Sequence, residues 1–342
     1  MLTWIWLATV FCSIDVRIAQ GAPASVLEQW NDYRIMYNKA YASPKEEARR
    51  FRIFSQNLQD IKELNKESQG NVTFGVNEFA DLAAEEKSKL FLRTSMRPTS
   101  SERTYMSGHL KPTFCPPGFH SWAVEPEVDW RKTQNLTVRH QGECNSCVVF
   151  AATGAIEAHH AIHKNETVLV SQQEVLDCGP DRNLCQTGSH RNALFKYLKE
   201  EGISLASEYG PYVAKEQPCH SNKSSHTVVI QDFKYVGYPS HAEVKKLLSE
   251  VGPVIAGMMG FEKSFVDYKS GIYEFKSCDW AENMGHAVLI IGYGKENGRE
   301  FWIVKNSWGD TWGEEGYFRV AIKNKALCGF IFGFGVWYPV LS

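Results

Sequence analysis

The sequence predicts an α+β fold of two lobes, preceded by a separate helical segment. Three patterns predict it. A capped helix pattern begins at Ser43, a polar stretch follows at residues 93–112, and a remainder of residues 125–342 changes character halfway. Its first half has helical patterns, and its second half has short apolar runs separated by glycine and asparagine. We therefore expect a helical lobe and a barrel-like β lobe, with the functional site in the seam.

Composition is that of an ordinary globular protein and limits the classes of partner. The chain has 342 residues, of which 43% are hydrophobic and 22% charged, and its net charge is −2. No basic surplus would recruit nucleic acid. A polypeptide or small-molecule substrate is the more natural expectation.

Residues 1–21 have the pattern of a signal peptide. An apolar run from Trp4 to Cys12 is followed by small residues around Ala19 to Ala22. The alternative is an N-terminal membrane anchor, but the run is far shorter than the roughly 20 residues that span a bilayer. We expect cleavage, and no other segment is apolar enough to cross a membrane.

Glycosylation sequons and cysteines agree with the secretory route. The four sequons are Asn71, Asn135, Asn165 and Asn222. Nine cysteines fit an oxidising compartment, and eight remain when Cys12 of the signal peptide is set aside. A reactive Cys147 would leave an odd number, so one thiol, for which Cys115 is the candidate, is unaccounted for.

The N-terminal helix has a polar packing face. Ser43 is a helix cap, the proline after it suits the first helical position, and Glu46 is spaced to reach back to the cap. One face of the helix then carries Glu46, Arg50, Phe54, Asn57, Ile61 and Asn65. A short alternating segment contains Gly75, Asn77, Phe79 and Asp81, and the polar stretch after it resembles an exposed, cleavable linker.

Caps and apolar runs give the elements of the remainder. We expect helices at Ser146–His163, after the capping box Ser171–Glu174, at Arg191–Glu201 before Gly202, and after Ser240–Glu243. We expect strands at Val254–Met259, His286–Tyr293, Phe301–Lys305 and Tyr317–Ile322.

Four side chains make a candidate catalytic set. Cys147 would lie in the first turn of an apolar helix, where the helix N-terminus stabilises a thiolate. His286 opens a buried strand of the other lobe and could act as its base, while Asn306 could fix the tautomer of the imidazole beside Trp308. Gln141 could donate an N–H to a developing oxyanion together with the backbone N–H of Cys147.

Plainer interpretations compete with this set. Cys144 and Cys147 form Cys-x-x-Cys, which could be a redox pair or half a zinc site, but no βαβ pattern follows and no second Cys/His pair lies at zinc-finger spacing. An isolated His286 would more often be a satisfied core histidine. The presence of the other three residues favours catalysis.

From about Trp30 to Cys328 these segments resemble the papain-like cysteine protease family, with the cathepsin L group nearest. The polar helix face and the segment from Gly75 to Asp81 resemble its inhibitory pro-region. The resemblance implies a signal peptide at 1–21, an inhibitory propeptide at 22–124 and a two-lobed papain-like peptidase domain at 125–342. His286 and Asn306 follow Cys147 by 139 and 159 residues, against about 130–150 in that family.

The family's properties set the functional expectations. They imply an endopeptidase with a thioester intermediate, made as a propeptide-inhibited zymogen, lysosomal or secreted, monomeric, without cofactor or metal, and with cystatin-type inhibitors as partners besides polypeptide substrates. The implied disulfides are Cys144–Cys185, Cys178–Cys219 and Cys278–Cys328. The implied substrate-binding residues are Gly188, Ser189, His190, Met284, Ala287 and Trp308.

The chain departs from the family pattern at the site itself. Asn145 stands where a glycine is usual, Val148 where a tryptophan is usual, and Gly285 where a polar residue often precedes the histidine. These changes motivate an alternative, a weakened or inactive homologue with a binding or structural role. Retention of all four catalytic residues favours the enzyme.

Overall fold

We describe the fold from a computed structural model. It describes residues 24–91, 125–222, 227–237, 239–259, 262–275, 285–322 and 335–341. The predicted signal peptide, the polar stretch 93–112, Cys115, Met284 and the implied pair Cys278–Cys328 lie outside these residues. Among the described helices, none combines the length and the apolar character that a membrane span requires.

The N-terminal segment, residues 24–91, has its own aromatic core. Its elements are α1 (Ala24–Met36), α2 (Pro44–Ser68), β1 (Val72–Phe74), α3 (Ala84–Lys87) and a 3₁₀ turn at Ser88–Leu90. Trp30, Tyr33 and Phe54 pack together where α1 meets α2. Ser43 caps α2 as expected, but the carboxylate of Glu46 binds Arg50 rather than the cap, because the guanidinium one turn later offers a charged partner.

The polar face of α2 binds the chain that returns along it. Asn57 donates to the carbonyl oxygens of Ala80 and Leu82, at 2.8 and 2.9 Å. Asn65 both donates to and accepts from the backbone of Phe74. The two asparagines therefore satisfy backbone groups of the returning chain, including those of Phe74 at the end of β1.

The helical lobe surrounds one buried helix. Its elements in chain order are α4 (Cys147–Lys164), α5 (Gln172–Cys178), α6 (Leu184–Thr187), α7 (Arg191–Glu201), β3 (Ile203–Ser204), α8 (Ala206–Tyr209) and β4 (Thr227–Val228). Helix α4 is buried along most of its length, and α7 ends at Gly202, which has the positive φ of +68°. Ser171 caps α5 as expected, but the box is incomplete, because the carboxylate of Glu174 accepts from the backbone of Ser204 instead.

The β lobe is built on one nine-stranded sheet of the described strands. Its elements are β2 (Val128–Asp129), a 3₁₀ turn at Trp130–Lys132, β5 (Ile230–Val236), α9 (His241–Glu250), β6 (Val254–Met259), α10 (Lys263–Val266), β7 (Tyr268–Tyr273), β8 (Gly285–Glu296), β9 (Arg299–Lys305), β10 (Tyr317–Ala321) and β11 (Val336–Leu341). The order is β1-β7-β10-β9-β8-β6-β11-β5, with β2 on β8. All pairs are antiparallel except β7 with β10.

The four predicted strands are present as β6, β8, β9 and β10, whereas β2, β5, β7 and β11 were not predicted. Strand β6 has the predicted bounds, and the complete capping box lies at Ser240 and Glu243 before α9. Trp302, Trp308 and Trp312 are fully buried, as expected for core residues. The sequence did not predict that β1 of the N-terminal segment would extend the sheet by pairing with β7, where Val72 lies opposite Gly271.

Candidate active site

Cys147 is the first residue of α4 and is almost completely buried. Its Sγ accepts a hydrogen bond from the backbone N–H of Ala287, in the β lobe, at 3.4 Å. The sulfur is not in a disulfide bond. Burial raises the pKa of the thiol to about 12, although the N–H groups of Ala287, Val148 and Cys147 act in the opposite direction. In this closed form the thiol is therefore neutral, because desolvation outweighs the helix N-terminus.

His286 lies at the start of β8, in the β lobe. We call its surroundings the imidazole wall of the site, and the surroundings of Cys147 in the helical lobe the sulfur wall. Its Nε2 lies 2.7 Å from Oδ1 of Asn306, and the imidazole stacks on Trp308 at a centroid distance of 5.0 Å. The ring of Phe91, from the N-terminal segment, packs edge-on at 5.6 Å. The side chain is completely buried, and this burial lowers the pKa of His286 to about 4 despite the bond to Asn306.

The hydrogen bonds of Asn306 assign the imidazole tautomer. Oδ1 of Asn306 also accepts from the backbone N–H of Ser307, at 2.9 Å. Nε2 of His286 must then carry a proton, which leaves Nδ1 as the atom for the sulfur. Nδ1 is buried and has no hydrogen-bond partner among the described residues. The structure thus brings the two groups together through Ala287, without a direct bond between thiol and imidazole.

Ser307 joins the two walls and was missed by the sequence analysis. Its Oγ donates to Oε1 of Gln141 at 2.6 Å, and its carbonyl oxygen accepts from the backbone N–H of Gln141. Nε2 of Gln141 donates one of its two hydrogens to the carbonyl oxygen of Cys144, at 2.9 Å. The only signal in the sequence was that Ser307 follows Asn306 directly.

Two disulfides in the described residues hold the loops of the helical lobe. They are Cys144–Cys185 and Cys178–Cys219, the two pairs implied by the family resemblance that can be described. Asn145 adds a further link, because its Nδ2 donates to the carbonyl oxygen of Gln186 at 2.9 Å. The amide side chain is therefore bound to the neighbouring loop, while Val148 is buried in a hydrophobic cluster to which both lobes contribute.

The candidate substrate-binding residues lie on both walls. Gly188 is buried with a φ of +77°, which favours glycine, and His190 is exposed at the cap position of α7. Asp181, which the sequence analysis did not identify, accepts from the hydroxyl of Ser189 at 2.7 Å and from the backbone N–H of His190 at 3.0 Å. Ala287 and Trp308 are buried on the β side.

The N-terminal segment covers the imidazole wall. Phe79 and Phe91 both pack edge-on against Trp308, at 5.7 and 5.5 Å. Phe91 is itself only 1% exposed, so it is embedded in the wall that holds His286. The segment therefore excludes water from the imidazole.

Comparisons with known proteins agree with this architecture. Residues 124–332 match the papain family cysteine protease, and residues 30–86 match the cathepsin propeptide inhibitor domain. Cathepsin L of Sarcophaga peregrina is 35% identical over 315 residues, covering 89% of this chain and 90% of the relative. Cathepsin R of Mus musculus is 32% identical over 340 residues, covering 94% and 96%.

A solved structure has the same fold. The digestive procathepsin L2 proteinase from the larval midgut of Tenebrio molitor matches with a TM-score of 0.79 and 29% identity, covering 92% of this chain and 100% of that one. The fold and site define a cysteine-type peptidase with a propeptide inhibitor domain. This chain belongs to the papain family of cysteine proteases, as the sequence analysis predicted.

Proposed function

We propose that the chain is the precursor of an endopeptidase that cleaves polypeptides with Cys147 as nucleophile and His286 as acid and base. The observation that carries this proposal is the bond from the N–H of Ala287 to the sulfur, with the imidazole of the adjacent His286 held by Asn306. The nucleophile thus bonds to the residue next to the base, and the base bonds to the orienting group, across the seam of the lobes.

The reaction proceeds through a thioester. The sulfur of Cys147 attacks the carbonyl carbon of the scissile peptide, and its proton is held by the imidazole. When the C–N bond breaks, His286 gives that proton to the leaving amine. His286 then takes a proton from water, whose oxygen attacks the thioester. The acid product leaves, and the proton returns to the sulfur.

The oxyanion is stabilised by Gln141 and by the backbone N–H of Cys147. Nε2 of Gln141 has a second hydrogen, and the bond from Ser307 to Oε1 keeps the amide in a single orientation. Such a preorganised donor stabilises charge that develops only in the transition state. Gly188, Ser189, His190, Ala287 and Trp308, with Met284, are the proposed substrate-binding residues.

The closed chain is a zymogen in which the thiol of Cys147 and the imidazole of His286 are both neutral. Burial holds the thiol and the imidazole in their uncharged forms, as their opposite pKa shifts indicate. Cleavage between residues 92 and 124, which connect the segment to the peptidase, would free the wall and hydrate both groups. The proposal includes a signal peptide at 1–21, an inhibitory propeptide at 22–124 and a peptidase domain at 125–342.

The secretory route and the partners follow from the same proposal. All four sequon asparagines are exposed, and the two described disulfides suit an oxidising compartment. We propose a lysosomal or secreted monomer that a cystatin-type inhibitor would recognise at the open cleft.

A peptidase assay on the matured chain tests the proposal. We expect cleavage of a fluorogenic peptide under mildly acidic conditions and labelling of Cys147 by an active-site thiol titrant. The variant Cys147→Ala is the control and should lose both. Equal, negligible cleavage by the matured chain and by Cys147→Ala would instead support the alternative of a catalytically inactive homologue.

A further inference from the structure

Two ion pairs of opposite polarity join the N-terminal segment to α10 and the residue after it. Nζ of Lys87, in the segment, lies 2.5 Å from Oδ1 of Asp267, and these side chains are 0% and 1% exposed. Lys263, four residues before Asp267, forms a second ion pair with Asp60 of α2. The segment therefore supplies the cation at one end of this short stretch and the anion at the other.

The neighbouring contacts use the backbone. Strand β1 pairs with β7, the backbone N–H of Gly75 donates to the carbonyl oxygen of Asp267 at 2.9 Å, and Asn77 donates to that of Val266 at 2.7 Å. Backbone groups are the same in every peptidase of similar shape, so these contacts contribute affinity without selecting a partner. Selection has to come from side chains.

The pair of Lys87 and Asp267 meets the conditions for strong selection. Burial lowers the pKa of Lys87 and raises that of Asp267, and in each case the charge and hydrogen bond of the partner oppose this effect. Lys263 and Asp60 are the other charged groups that act on both. Oδ2 of Asp267 is buried without a hydrogen-bond partner, so no second bond from the described residues compensates the loss of Lys87. Loss of one partner leaves a buried, uncompensated charge.

We propose that Asp267 is the site at which the peptidase recognises its own propeptide, by accepting a cationic side chain at the place of Lys87. The ion pair selects this segment over segments with an apolar or acidic side chain there, and the pair of Lys263 with Asp60 fixes the register. The inference rests on the proposed precursor role of the segment, but its test needs no catalytic activity.

The test uses the full chain with Cys147→Ala, which prevents self-cleavage. Hydrogen–deuterium exchange of the amides in residues 72–81 measures how often the segment opens. Lys87→Met and Asp267→Leu should each speed this exchange on the order of 100-fold or more, because one buried charge is left alone. The double variant Lys87→Met/Asp267→Leu should lie within about 10-fold of the parent, since replacement of both charges is tolerated.

Matched controls separate charge from shape and from unfolding. Lys66→Met removes the same charge from an exposed pair with Glu63 on α2 and should change the exchange less than about 2-fold. Lys87→Arg keeps the charge, so its amide exchange in residues 72–81 should be much slower than that of Lys87→Met. Slow exchange within α4 reports that the peptidase remains folded.

The inference would be overturned if the amides of residues 72–81 exchanged as slowly in the single variants as in Lys66→Met. It would also be overturned if they exchanged as fast in the double variant as in the single variants. Opening by Lys87→Arg equal to that by Lys87→Met would also overturn it, because the selection would then be one of shape. If Lys87→Met unfolds α4, then Asp267→Asn and Lys87→Arg supply the same comparison. A matured chain without peptidase activity would contradict the proposed function and leave this exchange result unchanged.

Discussion

The two walls of the candidate active site are built in different ways. On the sulfur side, Gln141, Cys144 and Cys147 lie within seven consecutive positions, and a disulfide to Cys185 ties them to the next loop. On the imidazole side, His286 depends on Asn306, 20 residues later, and on Phe91 from the N-terminal segment. The segment touches the sulfur side at its margin, where Nε2 of His140 lies 2.8 Å from Oε2 of Glu78. The rings around the imidazole, in contrast, change when the segment leaves.

Under the proposed function, this difference places the control of activity at the imidazole wall. Burial disfavours ionisation of the thiol in the closed chain by raising its pKa, and the imidazole that would stabilise its anion is held neutral under Phe91. A charged pair is favourable only when both members are partly hydrated or hydrogen-bonded. Release of the segment would expose His286 to water first, because Phe91 belongs to the segment.

The largest expected effect comes from removal of the imidazole itself. In the matured chain, His286→Ala should lower kcat/KM for a peptide substrate by about 10⁴-fold, because base and acid are lost together. Steady-state kinetics measures the loss, with Cys147→Ala as the reference for full inactivation. Activity within 10-fold of the parent would contradict the assignment of His286.

The next effect is the reactivity of the thiol in the closed chain. A pKa of about 12 against the ordinary 9.0 lowers the thiolate fraction of Cys147 by about 10³-fold below pH 9. Alkylation of the uncut chain should therefore be slow at pH 6 and rise about tenfold per pH unit well into the alkaline range. Mass spectrometry of the intact chain follows it, with Cys147→Ala giving the background from other thiols. Rapid alkylation at pH 6 would show that the sulfur wall is not closed.

A smaller effect is expected when the orienting bond is removed. Asn306→Ala should lower kcat of the matured chain roughly 10- to 100-fold with little change in KM, because the imidazole is still present but free to rotate. Asn306→Gln, which retains an amide, is the matched variant and should recover part of the loss. A rise in KM with kcat unchanged would place Asn306 in substrate binding instead.

The smallest effect belongs to the sulfur wall. Asn145→Ala removes the bond to Gln186 and should lower the free energy of unfolding by about 1 kcal/mol. Urea unfolding of the full chain with Cys147→Ala measures it, and Asn135→Ala is the control at an exposed asparagine. A loss of several kcal/mol would mean that this wall depends on Asn145 far more than on its disulfide.

Much of the fold was predictable, because its signals are local. Strand β6 and helix α7 begin and end where apolar runs, caps and Gly202 indicated. The capping residues Ser43, Ser171 and Ser240 all act as caps. Two boxes failed because another group bound the glutamate: Arg50, one turn later, binds Glu46, and the backbone of Ser204, 30 residues away, binds Glu174.

By itself, the sequence determined the papain-family class, the change from helical to β structure along the peptidase part, and the four residues proposed for catalysis. Caps and periodicity depend on neighbours within a few residues, so they can be recognised in the chain alone. Only the tertiary structure decided that Ser307 joins the walls, that Phe91 covers His286, and that Lys87 meets Asp267 across 180 residues. It also decided the neutral state of the thiol, because burial is a property of the packed chain and reverses what a helix N-terminus favours locally.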